Sequence, residues 1–308
     1  MSGRKTRGEI RKRSKKKKVL PFVLILCALV LGTGVYAGQM FFFDKPETKK
    51  VTKSEPKQTT ESTKKEAAST KPKTEESEQA AWIESETPIL FPTLMYHHIA
   101  TDPTGSGNTL FVTKEEFADQ MKALKEAGYY TLNTDEALRV LTENKKPAEK
   151  IVWITMDDGY ANHYDTAFPI LQEYGLKATI NLIMDPERIS QNLPEERVLE
   201  MKNAGIDFQS HTVNHLDLSS LSDEQIHEEL AQSKEALDTL LNQDTKLLCY
   251  PAGRFDERVE AEAEKVGYKL AVTTNPGFSG KEDGMYSLTR VRMLPGVSGE
   301  QLLSSLGN

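Results

Sequence analysis

Ile151-Val152-Trp153-Ile154-Thr155-Met156-Asp157-Asp158-Gly159 is the stretch from which the rest of the chain can be read. Its first five residues are β-branched or aromatic and make a buried-strand run. Two carboxylates then stand side by side at the strand end, and Gly159 permits a sharp exit. Adjacent carboxylates are costly to keep ionised unless a cation or hydrogen-bond donors compensate them. Asp-Asp-Gly alone is also what an ordinary turn uses to cap backbone amides, so its meaning depends on its surroundings.

On both sides of this stretch strand and helix signals alternate. Upstream, the spacing predicts a strand over 90–97 and a helix from the capping box Thr113-Lys114-Glu115-Glu116 to about Gly128. A short strand over 129–132 and a short helix over 134–141 follow. Downstream it predicts a helix to about Tyr174, a strand over 177–183, a helix opened by Pro194 and a strand over 206–209. A long helix from Ser222 to about Leu241 comes next, then strands over 246–250, 268–273 and 288–293 with a helix over 256–266. A last helix starts at Ser298. This alternation predicts parallel βαβ units, and their number within 89–308 suits a barrel better than an open sheet.

Upstream of residue 89 the composition changes twice. Residues 1–18 hold ten Lys or Arg and one acid, a basic tail expected to lie in the cytoplasm. Residues 19–43 carry no charge and follow Lys15 to Lys18, so they are expected to span a membrane with the rest of the chain outside. The competing reading is a signal segment cleaved near Val35-Tyr36-Ala37, which would leave a secreted protein. Residues 44–88 are mostly Lys, Glu, Thr, Ser and Pro and are expected to form a disordered linker. Residues 89–308 then carry a net charge of −15. The position of the basic tail before the apolar run argues against a nucleic-acid partner. The two cysteines, Cys27 and Cys249, make no disulfide framework.

Three further strand ends carry chemistry. His211-Thr212-Val213-Asn214-His215 places two imidazoles where they can face one point if the segment is helical or tightly looped. Two His and one Asp suit a divalent metal with positions left for water and substrate, and a second carboxylate is then available as a base. Tyr250-Pro251-Ala252-Gly253 shapes a loop whose amides could face a developing oxyanion. Met95-Tyr96-His97-His98-Ile99 offers His97 or His98 as a general acid.

The combination of Thr155–Gly159, His211–His215 and Pro251–Gly253 resembles the polysaccharide deacetylase family, also called the NodB-homology or carbohydrate esterase 4 family. The resemblance covers about residues 90–295. It implies a distorted (β/α)7 barrel, here preceded by the transmembrane helix and the linker. It implies Asp158, His211 and His215 as ligands of one divalent ion, zinc above all, and Asp157 as the general base. The backbone amide of Ala252 would help to hold the oxyanion. Where the family commonly has an Arg that supports the base, this chain has Cys249, and Arg290 or Arg292 is the candidate replacement. The family's carboxy-terminal acid histidine is missing from Leu288–Met293. The chain is similar to the poly-N-acetylglucosamine deacetylase branch, where a Tyr-His-x-Ile/Val segment supplies the acid, and this singles out His97.

The implied activity is removal of N-acetyl groups from an N-acetylglucosamine polymer, either peptidoglycan or poly-N-acetylglucosamine. A neutral polymer suits a domain of charge −15, which repels polyanions at short range. Two other readings are a glycan-binding barrel without activity and an O-deacetylase of acetylxylan type.

Overall fold

The computed structural model describes residues 82–307. The strands are β1 (Ile83–Glu84), β2 (Thr93–Tyr96), β3 (His98–Ile99), β4 (Phe111–Val112), β5 (Tyr130–Leu132), β6 (Lys145–Lys146), β7 (Ile151–Asp158), β8 (Thr179–Leu182), β9 (Asp207–Ser210), β10 (Leu247–Cys249), β11 (Leu270–Pro276) and β12 (Leu288–Arg292). The helices are α1 (Lys114–Glu126), α2 (Thr134–Glu143), α3 (Phe168–Tyr174), α4 (Pro186–Asn192), α5 (Glu195–Asn203), α6 (Asp223–Leu241), α7 (Glu257–Val266) and α8 (Gly299–Ser305). Eight strands form one parallel sheet in the order β2-β12-β11-β10-β9-β8-β7-β5, and β2 also pairs with β7. That extra pairing closes all of them except β5 into a ring, a distorted parallel barrel. β5 hangs on the first residues of β7, with Leu132 opposite Trp153.

The barrel follows from period-two patterning. Along β7, Ile151 and Trp153 join Leu132, Leu247, Leu270, Val272 and Leu288 in the cluster inside the ring. Val152, Ile154 and Met156 face the other way and pack with Phe117, Met121 and Leu171 of the surrounding helices. Trp153 is fully buried, and its Nε1 donates to Thr179 Oγ1 at 2.8 Å, so its polar end has a partner. The helices start where their caps say they should. Thr113 and Glu116 make a reciprocal capping box on α1, as do Asn133 and Glu136 on α2 and Ser222 and Gln225 on α6.

Several expectations need correction. Residues 19–43 and most of 44–88 lie outside the described residues. Among the described residues no helix is long and apolar enough to cross a membrane. The barrel preceded by a transmembrane helix, the membrane partner and the single-pass membrane placement drawn from that helix are corrected accordingly. The disordered linker does not extend to residue 88. β1 pairs antiparallel with β6, Arg139 stacks at 4.0 Å on the Trp82 ring, and Asn144 Nδ2 donates to the carbonyls of Ser85 and Thr87. Trp82 and Ile83 supply apolar anchors that the preceding polar residues lack. The first barrel strand is shorter than 90–97, because Leu90 is 61% exposed and only Thr93–Tyr96 pairs in the ring.

Candidate active site

The carboxyl ends of the strands meet at one mouth of the barrel. Asp157 is in phase with Trp153 and points into the ring, where it is 2% exposed. A regular strand would send the next side chain outward. Asp158 instead has φ of 78°, in the left-handed region, and this turn brings its carboxylate to the same mouth. Gly159 has φ of +71°, and a Cβ there would collide with the Leu182 side chain, so the exit needs glycine.

Asp157 is held from several sides. Arg290 Nη1 donates to its Oδ1 at 2.9 Å and Nη2 to its Oδ2 at 2.8 Å, a bidentate pair in which Arg290 is 1% exposed. Asn181 Nδ2 donates to Oδ1 at 2.8 Å. The remaining Arg290 donors reach Thr273 O at 2.7 Å, Thr155 Oγ1 at 3.1 Å and Cys249 Sγ at 3.4 Å. Burial by itself would raise the Asp157 carboxyl. The charge and hydrogen bonds of Arg290, with His97 and His211 nearby, outweigh burial and hold it well below the usual carboxylate range.

Two groups of side chains bring three metal-ligating atoms within 4.8 Å of one another, Asp157-His211-Cys249 and Asp158-His211-His215. The first is committed, since Arg290 binds both the Asp157 carboxylate and the Cys249 sulfur. In the second, His211 Nε2 and His215 Nε2 each lie 3.4 Å from Asp158 Oδ1. His211 Nδ1 lies 2.7 Å from the Cys249 carbonyl oxygen. A carbonyl only accepts, so Nδ1 carries a proton and Nε2 is the nitrogen that faces the site. The imidazole rings stand at 80° with centroids 4.7 Å apart, which turns them towards one point instead of stacking them. Two imidazole nitrogens and one carboxylate oxygen fit a single divalent ion, and such a donor set suits zinc.

The loop between the two histidines is shaped from behind. Thr212 and His215 have φ of 65° and 57°. His215 N donates to Thr212 Oγ1 at 3.1 Å. Buried Glu229 of α6 accepts from Val213 N at 3.0 Å, Asn214 N at 2.8 Å and Asn214 Nδ2 at 2.6 Å.

His97 lies beside Asp157, with Nε2 3.9 Å from Oδ2. Burial pulls its pKa below the ordinary histidine value, against the opposing pull of Asp157 and Asp158. His98 points elsewhere, stacked between Phe111 and Tyr160 at 4.2 and 3.5 Å. Ala252 lines the same cleft with φ of 52°, inside the tight turn Pro251–Gly253. Arg292 reaches the cleft rim, where its Nη2 donates to Thr109 Oγ1 at 3.3 Å, and it does not touch Asp157. The structure thus brings Asp157, Asp158, His211, His215, His97, Ala252 and Arg290 together and leaves Arg292 at the edge. The motifs do not single out Asn181, Glu229 or His163, the last of which the sequence places in the helix after the base motif. Buried His163 bonds the His97 carbonyl at 2.7 Å, and burial pushes its pKa down to about 4. Asn181 had a signal: a polar amide inside the buried run Thr179–Leu182 needs a partner.

The family model described as polysaccharide deacetylase matches residues 144–271. The chain is 46% identical over 224 residues to YxkH of Bacillus subtilis (strain 168), which bears the name of a polysaccharide deacetylase. That match covers 73% of this chain and 78% of that protein. It is 29% identical over 195 residues to the poly-β-1,6-N-acetyl-D-glucosamine N-deacetylase of Staphylococcus epidermidis, over 58% of this chain and 67% of that one. Among solved structures, the Streptococcus pyogenes deacetylase PplD in complex with acetate superposes with a TM-score of 0.69 at 40% identity. It covers 71% of this chain and 99% of that one.

Proposed function

Because the chain belongs to the polysaccharide deacetylase family, we propose that it is a metal-dependent hydrolase that removes N-acetyl groups from an N-acetylglucosamine-containing polysaccharide and releases acetate. The observation that carries this reading is the Asp158-His211-His215 donor set beside a buried Asp157–Arg290 pair. Asp158, His211 and His215 would hold the ion. When bound, a divalent ion polarises a carbonyl oxygen and lowers the pKa of water.

The chain's own residues have these roles. Asp157 takes the proton of the attacking water. Arg290 holds its pKa down, so the carboxylate stays ionised and can accept a proton. Arg290 fixes the carboxylate through two parallel hydrogen bonds and keeps it ionised. Ala252 lines the cleft from the turn Pro251–Gly253, and its amide would help to hold the oxyanion. His97 gives a proton to the leaving amine, which would otherwise depart as a very poor anion. The Staphylococcus epidermidis relative supports poly-N-acetylglucosamine as one candidate polymer, and peptidoglycan is the other.

The test is acetate release by zinc-loaded protein from chitooligosaccharide, poly-N-acetylglucosamine, peptidoglycan and acetylated xylan. Release from the amide substrates, abolished by chelation and restored by metal, is the expected result. Release from xylan alone identifies an O-deacetylase. Glycan binding without any release would leave a binding barrel.

A further inference from the structure

In a region of net charge −15, cations readily find carboxylates. Among the described residues Arg139, Arg197, Arg254, Arg258 and Arg290 each pair with an Asp or Glu. The two remaining described arginines, Arg188 and Arg292, have no carboxylate within ion-pair distance, and both are exposed. Both line one cleft of about 490 Å³, the cleft of Asp158, His211 and His215. They reach it from different parts of the ring, Arg188 from α4 just after β8 and Arg292 from the end of β12. Arg292 is partly steadied by Thr109 Oγ1 at 3.3 Å.

An exposed guanidinium presents a planar fork of donors that matches a carboxylate or a phosphate. Acidic side chains outnumber basic ones here, so two arginines left without a carboxylate at one mouth mark the place where the negative partner comes from outside. The carboxylates already in the cleft do not serve. Asp157 is already paired with Arg290 and bonded by Asn181, and Asp158 faces the two imidazoles.

The geometry points to an anion-recognising rim, in which Arg188 and Arg292 bind a phosphate or carboxylate substituent next to the sugar whose acetyl group is removed. This rests on the deacetylase reading and narrows its substrate class. It also refines the expectation of a neutral polymer. The acidic surface repels a polyanion, but that repulsion is screened beyond roughly 10 Å at 0.1 M salt. A single anion set in an otherwise neutral glycan can meet the two arginines, while the cleft's carboxylates are engaged by Arg290 and the imidazoles.

The test measures affinity and acetate release side by side on the zinc-loaded full chain. Three tetrasaccharides serve as probes: chitotetraose, chitotetraose 1-phosphate, and an alternating N-acetylglucosamine–N-acetylmuramic acid tetramer. At least one anionic probe is expected to bind about tenfold more tightly than the neutral one at low salt, the size of one or two charged hydrogen bonds. The phosphate and carboxylate arms show which source of anion is preferred. R188Q and R292Q should each erode that preference, and the double variant should bind anionic and neutral probes alike with an unchanged melting temperature. Equal affinities in the unmodified protein, an undiminished preference in the double variant, or no binding of any probe would overturn the inference. Anion preference without acetate release from any probe would sink the deacetylase reading and leave the rim standing.

Discussion

Buried Asp157 keeps its charge chiefly because Arg290 is fixed against it by two hydrogen bonds. Removing one partner of such a buried pair strands the other charge, so Arg290→Gln should cost about 3–5 kcal/mol in urea unfolding at neutral pH. The pH dependence carries a sign. In the unmodified protein the folded-state pKa of Asp157 is depressed, so its stabilisation is present above the unfolded value of about 4 and is lost as pH falls through the lower folded value. Without Arg290, burial dominates and raises the carboxyl. The deficit of the variant should therefore shrink as pH falls, and a deficit equal at pH 5 and pH 8 would contradict this. His97 is the second decisive residue. His97→Ala should reduce turnover about 10²–10⁴-fold with metal content unchanged. His98→Ala should act more weakly, because His98 packs between Phe111 and Tyr160. The acid must be protonated, so turnover should fall as pH rises through the His97 pKa, which burial sets below the ordinary histidine value. That alkaline limb should vanish from the residual activity of His97→Ala.

At the scale of elements, the site depends on backbone that departs from regular structure. β7 runs regularly to Asp157, and then the left-handed turn at Asp158 cancels the alternation that would have separated the two carboxylates. The segment from His211 to His215 is a loop instead of a helix, and α6 holds it through Glu229. Glu229 touches no ligand atom, so its contribution is positioning. Glu229→Ala should lower zinc affinity about 10–100-fold in a chelator competition. It should also cost about 1–3 kcal/mol for each backbone N–H left without a partner. Unchanged zinc affinity with lost stability would show that α6 merely packs there.

For the whole molecule, an ion that binds only the folded barrel stabilises it by mass action, about 4 kcal/mol at a thousandfold excess over its Kd. Zinc should raise the melting temperature of the unmodified protein and not that of His215→Ala; equal shifts in both would place the ion elsewhere. The order of elements was legible in the sequence, because period-two runs such as Ile151–Thr155 and capping boxes such as Thr113–Glu116 are local signals. So were Asp157, Asp158, His211 and His215, which stand in short segments at strand ends. The choice of Arg290 over Arg292 was only half legible. Both residues have the inward phase of β12, and only ring closure through β2 and β7 decides that Arg290 lies deep against Asp157 while Arg292 stops at the rim. Asn181, His163 and Glu229 reach the site across 24, 66 and 15 or 16 residues of chain, distances over which no sequence period operates. Local periodicity therefore determined the elements and the motif residues. The partners of those residues were decided by the closed barrel, because a buried charge or amide is satisfied by whatever the ring brings within about 3 Å of it.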